Sequence, residues 1–481
     1  MTRTKIIATI GPACKDPKTL EKMINAGMNI VRINCSHASH DNIASIINDV
    51  RNLSQKFENP IGILLDLSGP KIRTGKLKDS QSVELITKAE FTLTAQTIEG
   101  DQSIVSTNYP KLANEVKVND RILLDDGLIE LKVKKINDDN VICEIITGGI
   151  LKNHQGINLP GVKLSIPALT DKDIADLTFA LNFEIDFVPL SFVRDASDIV
   201  HLKNIIGNHY PPVMVIAKLE KPEAIDCLDE IMDVADGVMV ARGDLGVELP
   251  PEKVPPVQKL IIQKANLKGI PVITATQMLD SMANNPRPTR AEASDVANAI
   301  FDGTDAVMLS EETATGHYPV EAVAIMDRIA FEAESSINFN QLHVHELPTQ
   351  AHAIAHAACN MAVDMKAKLI ATFTKTGSTA RLISKFRPPN TIIALTQHLH
   401  VFRQLSIFWG VNPIMLTEVS DTEATLALVE STLQKKGLVS PGDDIVITGG
   451  LPIAARGPAN FVKIATITDR PKRSFVEFKG I

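Results

Sequence analysis

Short apolar runs alternate with amphipathic stretches along much of the chain, and the period of that pattern divides it into parts. A β-rich run over 5–10 stops at Gly11-Pro12, and Asp16-Pro17 then opens a helix as an N-cap with proline in the first turn. A second strand is expected over 29–36, an amphipathic helix over 43–57, and a third strand over 61–67 that ends at Ser68-Gly69-Pro70. From about 70 to 167 the pattern changes to a period of two, broken by turn clusters at Asp125-Asp126-Gly127, 137–140 and Gly148-Gly149. This predicts an all-β insert with its own core. The αβ rhythm resumes at Thr170, which caps a helix with Asp173 in its first turn. Strands follow over 187–192, 213–217, 238–240, 272–275 and 306–309, each with a helical segment after it. Eight βα units favour a closed (β/α)8 TIM barrel over an open doubly wound sheet. A further αβ unit begins near Leu342. The expected division is therefore a catalytic barrel over 1–69 and 169–343, an inserted β-barrel lid domain over 70–168, and a C-terminal αβ regulatory domain over 344–481.

Composition narrows the partners. Net charge is −8 and aromatics are 4% of residues, so neither the basic patch nor the stacking platform of a nucleic-acid binder is expected. The 5 cysteines are scattered without metal-ligand spacing, which fits a reducing compartment. No apolar run approaches a membrane span, and the N-terminus enters a strand without a signal-peptide core; a cytoplasmic protein is expected.

In a barrel, chemistry gathers at the C-terminal strand ends. There the second strand offers Arg32, Asn34, Cys35, Ser36 and His37, and the third Asp66 with Lys71 and Arg73 beyond it. The fifth offers Lys218 and Glu220, the sixth Arg242, Gly243 and Asp244, the seventh Thr276 and Gln277, and the eighth Ser310, Glu311 and Glu312. Glu220 and Asp244 are hard oxygen ligands suited to Mg²⁺, with Mn²⁺ as an alternative; two solvated loop acids are the plain counter-reading. Lys218 and Arg32 suit a phosphoryl group whose charge spreads during transfer, although a surface ion pair explains either alone. Gly243 allows a ligand oxygen near the backbone. Thr276 and Ser310 are candidate proton relays through water, against simple strand-end hydrogen bonding. A second candidate site is Thr374-Lys375-Thr376-Gly377-Ser378-Thr379, where hydroxyls, amides and one lysine join a strand to a helix N-terminus as a phosphate cradle. An ordinary capped turn is its alternative.

These segments resemble pyruvate kinase: VRINCSH (31–37), LDLSGPKIRTG (65–75), AKLEKPEAI (217–225), DGVMVARGDLGVELP (236–250), PVITATQMLDSM (271–282) and LSEETATGHYP (309–319) match in order and spacing. The resemblance implies a barrel, a mobile β lid after the third strand and a C-terminal αβ domain, assembled as a homotetramer. It implies that Lys218 stabilises the transferring phosphoryl and the enolate, and that Glu220 and Asp244 hold Mg²⁺. Arg32, Gly243, Asp244 and Thr276 would contact phosphoenolpyruvate, with Asn34, Ser36, His37 and Arg73 on the ADP/ATP side. Phosphoryl passes from phosphoenolpyruvate to ADP, and the enolate is protonated to pyruvate. The 374–379 loop resembles one that binds a phosphorylated allosteric effector, with the loop 449–457 and its Arg456 closing over it; Trp409 is a candidate to stack on it, against the commoner role of a lone tryptophan in a core.

Two departures stand out. Many relatives bind K⁺ through residues matching Asn34, Ser36, Asp66 and the carbonyl of Leu67, and carry Glu where this chain has Lys71. An ammonium there would supply the monovalent charge and repel a second cation, so K⁺ is expected not to be required; the counter-reading is that Lys71 points to solvent and K⁺ still binds. Gln155 stands where relatives often have lysine, which alters the lid's expected grip on nucleotide. Two rivals remain: a Mg²⁺-dependent enolate-forming barrel lyase or aldolase, which leaves Arg73 and the C-terminal domain unexplained, and a catalytically dead sensor, which would be expected to have lost Lys218, Arg32 or a metal ligand.

Overall fold

The structure is a computed structural model that describes residues 2–337, 349–417, 422–451 and 457–468. Eight parallel strands close a barrel: β1 (Lys5–Thr9), β2 (Ile30–Asn34), β3 (Gly62–Asp66), β4 (Phe187–Leu190), β5 (Met214–Leu219), β6 (Gly237–Ala241), β7 (Val272–Ala275) and β8 (Ala306–Leu309). Each strand pairs with its sequence neighbours, and β8 returns to β1. The strands are apolar nearly throughout because both faces are covered. Val31, Ile33, Leu65, Val215, Ala217 and Val240 pack outward against the helical shell. Ile30, Leu64, Ile216 and Met239 point into the barrel. Side chains alternate with a period of two, so inward positions two and four residues further along are Arg32 and Asn34, Asp66, and Lys218 and Glu220. Charge thus replaces hydrocarbon inside the barrel only at the top.

The insert holds its own core, which includes Phe91, Leu93, Ile122, Leu131 and Val141. Its six-stranded sheet runs in the order Ile157–Asn158, Arg121–Leu124, Ile129–Asn137, Asn140–Thr147, Glu90–Thr94, Ile104–Ser106, beside a two-stranded pair. Its edge strands, 2 and 3 residues long, do not pair with one another. Such short edges leave little backbone to pair. Within this β insert Leu112–Glu115 makes a single helical turn that buries Leu112 and Ala113.

The C-terminal sheet has the order β11-β10-β9-β12-β13, from β9 (Leu369–Phe373), β10 (Thr391–Thr396), β11 (Val411–Met415), β12 (Asp444–Gly449) and an antiparallel β13 (Phe461–Thr466). Its expected start near residue 342 lies outside the described residues. The barrel interior and this unit share one core, in which Ile7, Ile30, Phe187 and Ile216 join Ala355, Ile383, Leu405 and Val411. Charged groups border it: Lys5 Nζ donates to the Val411 carbonyl at 2.7 Å, and Arg387 meets Asp305 at 2.9 Å. Trp409, a candidate for effector stacking or for a core, is buried at this joint with the guanidinium groups of Arg3 (5.5 Å) and Arg387 (4.9 Å) against its ring. A large ring is placed where it covers most apolar surface, and here that is the joint.

Candidate active site

The barrel top brings most of the expected residues into one cavity, lined by Arg32, Asn34, Ser36, Asp66, Leu67, Lys71, Lys218, Glu220, Asp244 and Thr276. Lys218 is its hub. The side chain is 11% exposed, and its ammonium lies 2.7 Å from Glu220, 3.4 Å from Asp66 and 2.8 Å from Ser191 Oγ, to which it donates. Burial opposes that charge, yet Asp66, Glu220 and Asp244 outweigh it and hold the ammonium above the usual lysine range. Asp66 also takes two bonds from Arg32 at 2.6 and 2.8 Å, and Arg32 donates to Thr9 Oγ1 at 2.9 Å. Burial works against the Asp66 carboxylate, but Lys218 and Arg32 pull its pKa below the ordinary value. Asp66 therefore aims two cations into the cavity.

Glu220 accepts the Phe192 backbone N–H at 2.9 Å. Its carboxyl pKa is raised by burial and by Asp244, against the pull of Lys218. Among the described residues no three or more His, Cys, Asp or Glu cluster as a metal site. Two carboxylates that feel each other's charge fit a hard divalent cation that fills its remaining positions with water and substrate oxygens.

Thr276 sits at the end of β7 with φ +67°, followed by Gln277 at +51°. Left-handed backbone is costly for a β-branched residue. Arg242 holds it in place, donating to the Thr276 carbonyl at 2.8 Å and the Gln277 carbonyl at 3.0 Å while pairing with Asp295 at 2.5 Å. The cation expected to serve the site beside Asp244 instead braces this turn. The Gly243 N–H is likewise engaged, donating to Thr276 Oγ1.

Other expectations separate. Ser310 Oγ is buried with no hydrogen-bond partner among the described residues and does not line this cavity. Glu312 accepts from the backbone of Leu279 and Ser310, so it ties loops together. His37 has its pKa lowered by burial and by Lys71, Arg73 and Arg32, a cationic setting that favours an anionic ligand. Arg73 and Lys71 line a 360 Å³ cleft between insert and barrel, of a size that takes a small ligand. Gln155 is buried and accepts from the Lys152 N–H.

Sequence reading missed Thr9, the last residue of β1, and Ser191, which directly follows β4. The strand-end rule applied to those two strands as well finds both. Ser191 Oγ donates to the Leu67 carbonyl at 2.8 Å, joining that carbonyl to Lys218.

A closed barrel carrying a buried lysine, an arginine and two carboxylates at its strand ends defines an enzyme that handles a small phosphorylated anion with a divalent cation. The sequence matches the pyruvate kinase barrel domain over residues 1–323 and the pyruvate kinase alpha/beta domain over residues 352–465. Pyruvate kinases of Staphylococcus epidermidis and Staphylococcus aureus are 46% identical over 475 residues, 98% of this chain and 81% of theirs. A crystal structure of a pyruvate kinase from Cryptosporidium parvum superposes with a TM-score of 0.92 at 38% identity, covering 97% of this chain and 96% of that one. The chain belongs to the pyruvate kinase family. It is a phosphotransferase of phosphoenolpyruvate and ADP, in a family that generally requires Mg²⁺. Among the described residues no helix is long and apolar enough to cross a membrane.

Proposed function

We propose that Lys218 and Arg32 receive the phosphoryl group of phosphoenolpyruvate, with Gly243, Asp244 and Thr276 around the three-carbon part and His37, Asn34, Ser36 and Arg73 toward ADP. The observation that carries this is Lys218, held charged in a buried cavity between Asp66 and Glu220. A nucleotide oxygen attacks phosphorus, the bond to the enol oxygen breaks, and Lys218 stabilises both the moving phosphoryl and the enolate left behind. Mg²⁺ or Mn²⁺ held by Glu220 and Asp244 would supply charge neutralisation for the same oxygens. Thr276 assists protonation of the enolate through water; Ser310, outside the cavity, is the weaker relay candidate. Lys218→Met tests the reading: ADP-dependent pyruvate formation falls by about 10³-fold, and a loss smaller than tenfold removes Lys218 from this role.

K⁺ is not required. Lys71 lines the cavity with Asn34, Ser36, Asp66 and Leu67, while the Leu67 carbonyl is already bonded by Ser191. A phosphorylated sugar or nucleotide activates the enzyme at 374–379. There Thr374, Lys375, Thr376, Ser378 and Thr379 line a cavity, with Gly377 at φ +84° turning the chain into the helix Ser378–Lys385. Thr374 Oγ1 is buried without a hydrogen-bond partner among the described residues, as an acceptor-rich ligand would require. Arg456 lies outside the described residues. Lys375→Ala abolishes activation by sugar phosphate and spares basal turnover; unchanged activation moves the effector elsewhere. The working form is a cytoplasmic homotetramer, with 70–168 acting as a lid over the barrel 1–69 and 169–343, and 344–481 as the regulatory domain.

A further inference from the structure

Glu248 closes the seven-residue helix Arg242–Glu248, one turn beyond Asp244. It is a charged group whose side chain is 2% exposed, so its partners decide its purpose. The same oxygen, Oε1, accepts from Lys221 Nζ at 2.5 Å and from Asn158 Nδ2 at 3.3 Å. Lys221 directly follows Glu220. Asn158 belongs to the last strand of the insert. One carboxylate oxygen thus joins the segment of each metal carboxylate to the inserted β unit. A second line runs in parallel. Phe192, whose N–H holds Glu220, lies with its ring 5.9 Å from Lys221 Nζ. A Cβ at Gly69, the root of the insert, would come within 2.7 Å of that ring. The chain segments that carry the two metal carboxylates are thus linked to the insert, through Lys221 and Glu248 to Asn158, with Phe192 packed at the root beside them.

We propose that Glu248 is a positioning residue through which the inserted β unit sets how tightly Glu220 and Asp244 hold their divalent cation. The proposal rests on the assignment of those two residues as metal ligands. Glu248 touches neither substrate nor metal. It fixes the spacing of the two segments through Lys221, and Asn158 fixes Glu248. When the insert moves away, Asn158 leaves, and Lys221 and Glu248 lose the third group that orients them. Groups that orient metal ligands carry a large share of metal affinity.

The test is Mn²⁺ binding to the full chain without nucleotide, read from the electron paramagnetic resonance of free Mn²⁺, with Mg²⁺ titrations of turnover beside it. Glu248→Gln weakens Mn²⁺ binding by about tenfold or more, and Asn158→Ala weakens it by a smaller factor in the same direction. Both raise the Mg²⁺ concentration for half-maximal rate while kcat at saturating Mg²⁺ stays within about twofold, and Glu248→Asp recovers part of the loss. A merely structural ion pair would lower kcat or stability without this recovery at high Mg²⁺. Should Glu248→Gln fail to fold, judged by circular dichroism, Asn158→Ala decides alone. Wild-type Mn²⁺ affinity in both variants, alongside lost affinity in Asp244→Asn, overturns the proposal and leaves the ligand assignment standing. Unaltered affinity in Asp244→Asn sinks the ligand assignment and the proposal with it.

Discussion

The Gly243 backbone N–H donates to Thr276 Oγ1 at 2.7 Å, and that hydroxyl donates onward to the Ala275 carbonyl at 2.6 Å. The hydroxyl hydrogen is thus directed at the strand, and a proton can reach the enolate only through water or after rotation. Thr276→Ala should lower kcat by about 10²-fold, near the lower end of proton-transfer contributions, while Thr276→Ser keeps most of the rate. Steady-state kinetics of pyruvate formation checks both. Equal losses in the two variants would show that the methyl group, which helps fill this turn, matters more than the hydroxyl.

Lys71 and the Leu67 carbonyl carry the K⁺ prediction. Replacing K⁺ with a bulky non-binding cation should leave wild-type turnover within about twofold, because two like charges in one small cavity repel. Lys71→Glu should make turnover rise with K⁺, by tenfold or more. A wild-type enzyme that stops without K⁺ defeats the reading.

Glu292 ties the N-terminus of the helix Arg290–Asp302, the helix that also presents Asp295 to Arg242. Its carboxylate accepts from the Ser281 N–H at 2.7 Å and the Thr289 N–H at 2.7 Å, completing a capping box. Partial burial opposes its charge, but those bonds win and the pKa lies below the ordinary glutamate value. A depressed carboxylate stabilises the fold above its unfolded-state pKa, and that contribution is lost as pH falls through the folded value. Glu292→Gln should therefore lower Tm at neutral pH, with a cost of about 1 kcal/mol. The gap from wild type should narrow in the acid range below the ordinary glutamate pKa. Calorimetry at several pH values reads this directly, and a pH-independent gap contradicts it.

Arg387 is buried against Asp305 and Trp409. Removing one member of a buried ion pair typically costs about 3–5 kcal/mol, since the other charge stays behind. Arg387→Ala should lower Tm by several degrees, and Arg387→Ala with Asp305→Asn should recover part of it. Trp409 is the 1 tryptophan of the chain, so its fluorescence reports this joint alone. Its emission should shift in Arg387→Ala; an unchanged spectrum would place the guanidinium elsewhere in solution.

Much of the architecture was legible because barrel strands buried on both faces write continuous apolar runs, and the insert writes a two-residue alternation. Lys218, Glu220 and Asp244 were legible because charge at the end of such a run has no packing explanation. What stayed hidden depends on distant chain segments. Arg242 looked like a site cation because its neighbours are Gly243 and Asp244, but Asp295 and the strained Thr276 turn claim it. Thr9 and Ser191 are small hydroxyl residues that carry no signal until Arg32 and Lys218 are seen beside them. Trp409 has both a stacking and a core reading in the sequence, and only the joint between the two units decides for the core.

The core that runs from Ile7 and Phe187 into Ile383 and Leu405 means that the catalytic cylinder has no floor of its own. Excising the C-terminal unit would open the lower mouth of the cylinder and wet its hydrocarbon lining. The two units are thus expected to melt in a single step, so that the stability of the catalytic cylinder is tied to the module that plugs it.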